Sequence, residues 1–131
     1  MVKDKLLKKI EQDFNPIIET KDILGILLFG SYSKDKETSR SDIDICIVAP
    51  NDDPAELLSY ILQKINTNLK HYDIRLFQEL PLYIKIRVIQ DGILIYSTNK
   101  YDLYEFFYFY RKLWNDQKHR QKISKEELLS I

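Results

Sequence analysis

The sequence predicts an α/β (α+β) fold, with a small mixed β-sheet of about four strands and helices packed on it. Two patterns predict this. Short apolar runs at 26–29, 46–49 and 93–96, bounded by turn residues, and an alternating run at 71–77 read as strands. Apolar residues at helical spacing fill 3–14, 54–65, 81–90 and 101–120. Such alternation argues for helices layered on one sheet. The expectation is helices on one face and a site at the sheet's edge.

Length and composition set the bounds. A chain of 131 residues argues for one domain over 1–131. Twenty Lys and Arg balance twenty Asp and Glu, so no broad cationic footprint for a nucleic-acid backbone is present. That argues against a polymerase-like role on long nucleic acid. One cysteine makes no internal disulfide. The N-terminus lacks the apolar core of a signal peptide, and no apolar run is long enough to span a bilayer. The expectation is a cytoplasmic protein without membrane association.

In chain order, Leu6, Leu7, Ile10 and Phe14 define a packing helix whose lysines form a solvated face, with Asn15-Pro16 as its stop. The first strand follows and ends at Gly30. The second carries Asp42 and Asp44, then Ile43, Ile45 and Ile47 in the other phase. Cys46 reads as a small buried filler, since neighbouring aspartates are the wrong setting for a reactive thiol. Asp52-Asp53-Pro54 has the acidic cap and first-turn proline of a helix start. Leu57, Leu58, Ile61, Leu62 and Ile65 give that helix one apolar face, Asn66 to Lys70 close it, and it serves as a crossover. His71, which opens the third-strand run, is a surface histidine without companions for a zinc site. Leu82, Ile86 and Ile89 mark the next helix, stopped by Gly92, with Lys85 and Arg87 solvated. The run at 93–96 reads as a fully buried strand. The last helix, 101–120, is aromatic on most of its circumference, and its tail after Gln117 is charged and frayed. Leu103, Phe107, Tyr110 and Trp114 form one stripe, while Tyr104 and Tyr108 lie elsewhere. A small sheet covers one side only, so the rest is expected to meet a protein partner or a second copy of the chain in a homo-oligomer.

The chemistry concentrates between the first two strands. Side chains alternate along a strand, so Asp42 and Asp44 share a side. Adjacent carboxylates repel unless a proton or cation lies between them. Oxygen-only ligands with open positions suit Mg²⁺, which shares its sphere with substrate phosphates. Gly30 lets a ligand approach the backbone, and Ser31 offers a hydroxyl and an N–H to a phosphate oxygen. Lys34 and Arg40 are the cations placed to reach phosphate.

Gly30-Ser31 followed, twelve residues from Gly30, by Asp42 within Ser41-Asp42-Ile43-Asp44 resembles the nucleotidyltransferases of the DNA polymerase β superfamily. It is most similar to the minimal nucleotidyltransferase (MNT) branch, whose motif is Gly-Ser-x-Ala-Arg-Gly, a variable loop and Ser-Asp-x-Asp. Lys34 and Asp35 stand where that motif has Arg and Gly. The resemblance implies a third carboxylate on the strand after the crossover helix, where Asp73 lies; otherwise Asp73 merely caps a strand end. It implies that Asp42, Asp44 and Asp73 hold two Mg²⁺ ions and that Asp73 serves as general base. Gly30, Ser31, Lys34 and Arg40 would hold the nucleotide. ATP as donor, AMP transfer to a tyrosine of a HEPN toxin and an antitoxin role are what the resemblance implies.

Three readings follow. The first is that enzyme. The second is a binding module that neutralises a partner by association through its aromatic C-terminal helix. The third is another phosphate enzyme, which the sequence disfavours. A Walker loop is absent, and the second strand runs through and beyond the Asp pair, whereas a phosphatase motif would end its strand there.

Overall fold

The computed structural model describes the backbone of residues 2–30 and 42–129, and side chains over 3–30 and 42–120. Four strands, β1 (Gly25–Phe29), β2 (Ile43–Val48), β3 (Tyr72–Leu76) and β4 (Ile93–Ser97), form one sheet in the order β3-β2-β1-β4. β1 is antiparallel to both β2 and β4, and β2 is parallel to β3, so the sheet is mixed as expected. The parallel pair needs a crossover. Helices α3 (Pro54–Lys64) and α4 (Thr67–Lys70) supply it. Asp53 caps α3 by accepting a hydrogen bond from the Glu56 N–H at 3.0 Å, and Asn66 caps α4 through the Leu69 N–H at 3.1 Å.

Helices cover both faces of the sheet, not one. Helices α1 (Val2–Asp13), α2 (Asn15–Thr20) and α3 bury Ile10, Phe14, Ile17, Leu57 and Ile61 against Ile26, Leu28, Ile45 and Ile47. Helices α5 (Leu82–Asp91) and α6 (Lys100–Leu129) bury Ile86, Val88, Ile89, Leu103 and Phe107 against Leu27, Cys46 and Val48. The apolar runs of β1 and β2 are continuous because both of their faces are covered. Cys46 is fully buried, as a filler should be, and burial pushes its thiol well above the ordinary range.

Four further expectations change. Asn15-Pro16 does not end the helical region but restarts it as α2, with the proline in the first turn where no N–H is required. Phe14 and Ile17 keep the stripe buried across the joint. β4 is half-buried throughout, because it pairs only with β1 and forms an edge. Lys85 is not solvated. Its ammonium donates to the carbonyls of Gln78 and Leu80 at 3.2 and 2.8 Å and lies over the Phe77 and Tyr110 rings. Burial lowers its pKa. Finally, α6 remains helical to Leu129, well past Gln117.

One polar clamp fixes where β3 begins. The Asp13 carboxylate accepts from Lys70 Nζ at 3.0 Å and from the Tyr72 hydroxyl at 2.5 Å. Burial and that carboxylate push the Tyr72 phenol up. The Ile43 N–H donates to the carbonyl of His71 at 2.8 Å, so the starts of β2 and β3 are tied together. Tyr72→Phe keeps the ring and loses the bond to a partly buried carboxylate. It should cost about 1–2 kcal/mol in urea unfolding. Lys70→Ala, at a more exposed pair, should cost less than about 1 kcal/mol.

Candidate active site

The site is assembled where β1 ends and β2 and β3 begin. Alternation along β2 puts Asp42 and Asp44 in phase with Cys46 and Val48, on the face covered by α5 and α6. Cys46 and Val48 are fully buried, Asp44 is half-buried and Asp42 is exposed, so the carboxylates emerge where that cover stops. The parallel register pairs Asp44 with Asp73, and on the other side the antiparallel register pairs Asp44 with Phe29. Asp73 therefore stands beside Asp44 on the same face of the sheet.

Gly30 closes the third side. Its φ is +71°, in the left-handed region that favours glycine, and a Cβ there would run into the Asp44 carboxylate. The glycine thus turns the chain and leaves room for the acid.

Electrostatics at this corner are strained. The Asp44 carboxyl is pushed up to about 6, first by burial, then by the charge of Asp73 and a hydrogen bond to it, and then by Asp42. Arg75 pulls the other way. Its Nε lies 3.4 Å from Asp73 Oδ1, an ion pair exposed enough to be worth little to stability but able to turn Asp73 along β3. Sequence reading passed over Arg75. The signal was its phase, two residues after Asp73 on an alternating strand.

Among the described residues, no three His, Cys, Asp or Glu side chains are gathered into a ready-made metal site. Asp73 is hydrogen-bonded to Asp44 and paired with Arg75. The donor set nevertheless fits a hard divalent cation. It consists of carboxylate oxygens only, and a cation would replace the proton that the Asp44–Asp73 pair now favours. His71 is exposed in a left-handed conformation (φ 58°) at the end of α4, and it stays apart as a surface residue. Ser31, Lys34 and Arg40 lie outside the described residues, as does Asp35.

Comparisons with known proteins place the chain in a family. Residues 11–101 match the family model described as polymerase beta, nucleotidyltransferase. The chain is 43% identical over 98 residues to a candidate protein adenylyltransferase of Methanocaldococcus jannaschii, a match that spans 75% of each chain. Among solved structures, the chain is similar to one in a toxin–antitoxin crystal structure with AMP-PNP. The TM-score is 0.68 and the identity 23%, over 93% of this chain and 98% of that one. It is also similar to a chain in the structure of a tri-AMPylated Shewanella oneidensis HEPN toxin in complex with an MNT antitoxin. There the TM-score is 0.60 and the identity 22%, over 90% of this chain and 98% of that one. Likeness at these identities speaks for the fold.

Proposed function

The chain belongs to the polymerase beta nucleotidyltransferase family, and from that premise we propose that it transfers AMP from ATP to a tyrosine hydroxyl of a HEPN toxin and so acts as an antitoxin. The observation that carries the proposal is the registered pair Asp44–Asp73 beside the left-handed Gly30. The M. jannaschii relative is named for protein adenylyl transfer, and the two structural relatives come from toxin–antitoxin pairs, one with a nucleotide analogue and one with an AMPylated toxin.

In this reading Asp42, Asp44 and Asp73 hold Mg²⁺. When bound, it supplies positive charge against the α-phosphate and eases ionisation of the attacking hydroxyl. Gly30 admits the triphosphate close to the backbone, and Ser31, Lys34 and Arg40, which follow it in sequence, are assigned to hold the phosphates. Asp73 accepts the proton of the tyrosine hydroxyl. The hydroxyl oxygen bonds to the α-phosphorus, the bond from that phosphorus to the bridging oxygen breaks, and pyrophosphate leaves. Among the described residues, no helix is long and apolar enough to cross a membrane.

The test is the intact mass of the HEPN partner after incubation with the chain, ATP and Mg²⁺, followed by peptide mapping. A mass gain of whole AMP units on tyrosine supports the reading. An unmodified partner, or AMP on another residue type, counts against it.

Asp44 also sets a pH dependence. Its folded pKa of about 6 lies above its ordinary 3.8. The stability it contributes is therefore full below 3.8 and is lost as pH rises through about 6. Mg²⁺ competes with that same proton. Thermal melts should show stabilisation by Mg²⁺ at about pH 8 and little at about pH 5. Equal shifts at both pH values would show that the cation is not held by this carboxylate.

A further inference from the structure

The face of α6 turned away from the sheet carries a pattern that the chemistry does not use. The stripe Leu103, Phe107, Tyr110 and Trp114 packs on the body. About a quarter turn around the helix lies a second stripe, Tyr101, Tyr104, Tyr108, Arg111, Asn115 and Lys118, at alternating steps of three and four. All six residues are exposed, with Tyr101, Tyr104 and Tyr108 at 69%, 57% and 64%. The tyrosines line a shallow cleft of about 470 Å³ with Glu105. Every member of the stripe is a hydrogen-bond donor, and Arg111 and Lys118 make its second half cationic.

Three observations make this a docking surface. First, the helix outruns the body. Its 30 residues extend for about 45 Å, yet among the described side chains none after Trp114 joins either core. The described side chains from Asn115 to Arg120 are all exposed, so the body gives this stretch no cover and it calls for a partner. Second, charge is segregated. From Arg111 to Lys122 the sequence has five Lys or Arg against one acid, Asp116, in a chain of zero net charge. Third, the family match ends at residue 101, so α6 lies almost wholly outside the shared transferase unit.

We propose that this stripe of α6 docks the protein that supplies the acceptor tyrosine, through an amphipathic helix whose apolar residues meet Tyr104 and Tyr108 and whose carboxylates meet Arg111 and Lys118. The identity of that protein rests on the HEPN reading above; the surface and its complement do not. A second copy of the chain is a poor occupant, because full overlap of two α6 helices in either direction brings the cationic stretches together. Nucleic acid is disfavoured by Asp102 and Glu105 beside the tyrosines. The dock is also remote from the carboxylates. Leu103 fills the space over Gly25, at the far end of β1 from Phe29 and Asp44, roughly 13 Å along the strand. Docking and transfer therefore separate. The dock sets the apparent affinity for the acceptor protein and not the turnover of docked acceptor.

The experiment measures calorimetric affinity and transfer kinetics for the full chain with its HEPN partner, comparing wild type with Arg111→Glu and Tyr108→Ala. Both changes are on the surface, and circular dichroism checks the fold. The expected result is affinity weakened about 100-fold, KM for the partner raised in step, and kcat and KM for ATP unchanged. A carboxylate-to-lysine change on the partner should restore binding to Arg111→Glu. Wild-type affinity in both variants would overturn the proposal, as would a wild-type chain that does not bind the HEPN protein. So would variants that keep HEPN binding and lose binding to a 20-nucleotide single-stranded RNA. Tight binding by wild type with no AMP transferred would defeat the transfer reading and leave the dock standing.

Discussion

A chain carrying Asp42→Asn and Asp44→Asn is expected to fold, to bind its partner and to transfer no nucleotide. In the proposed reaction a cation on these carboxylates would offset transition-state charge worth several kcal/mol, so the loss should be about a thousandfold or more. Stability should move the other way. Asp44 stands half-buried beside Asp73, and burial first, then the Asp73 charge, push its pKa up to about 6. An amide at 44 removes the repulsion and can still hydrogen-bond to Asp73. Without Mg²⁺ at about pH 8 the double variant should melt at or above the wild-type temperature, and added Mg²⁺ should no longer raise it. Calorimetry with the partner and single-turnover transfer make the comparison. If the variant still suppresses the toxin as well as wild type, neutralisation works by association and the chemistry is incidental. If the variant unfolds, the carboxylates are structural, which the raised Asp44 pKa argues against.

Gly30→Ala should be almost as severe, for a different reason. The backbone is in the left-handed region, which costs a residue with a Cβ about 1–2 kcal/mol. The new methyl must also displace the Asp44 carboxylate, since the space it needs is taken by that side chain. Transfer should fall about 100-fold or more, the size expected when a reacting group is shifted by about 1 Å. Gly25→Ala is the control. There the added Cβ meets the Leu103 methyl carbons at 3.0 and 3.1 Å, far from the carboxylates. It should lower stability by about 1 kcal/mol and leave kcat unchanged. Transfer rates and urea melts for the two variants separate the roles: Gly30 loses chemistry, Gly25 loses packing. Equal losses of activity in both would show that the Gly30 turn has no special place in the site.

Much of this was legible in the residues. The four strands, the Asp53 cap and the shared face of Asp42 and Asp44 follow from periodicity and cap chemistry, which act locally. Asp73 needed the parallel β2–β3 register to come beside Asp44, and register is a tertiary fact. The two-sided cover of the sheet was present in the continuous apolar runs of β1 and β2, which a one-sided sheet would have broken with polar residues. Lys85 was not legible. Only the turn after β3 and the ring of Tyr110 create the carbonyl and aromatic cage that draws its ammonium in. Pro16 was read as a stop because proline ends helices, and it began one because its missing N–H fell in a first turn. The aromatic excess of the last helix was visible from composition. Its division into a stripe of Leu103, Phe107, Tyr110 and Trp114 and an exposed side with Tyr104 and Tyr108 was legible from helical spacing, and the structure packs the first on the body.

In the proposed reaction the carboxylate corner at Gly30, Asp42, Asp44 and Asp73 directs attack at the α-phosphate of a nucleoside triphosphate. The most direct measurement gives the chain, Mg²⁺ and its HEPN partner ATP labelled in parallel reactions at the α- or the γ-phosphate. The expected result is label on the partner from α-labelled ATP alone, pyrophosphate carrying the γ-label, and neither in Asp42→Asn/Asp44→Asn. Label on the partner from γ-labelled ATP would mean phosphoryl transfer and would contradict it.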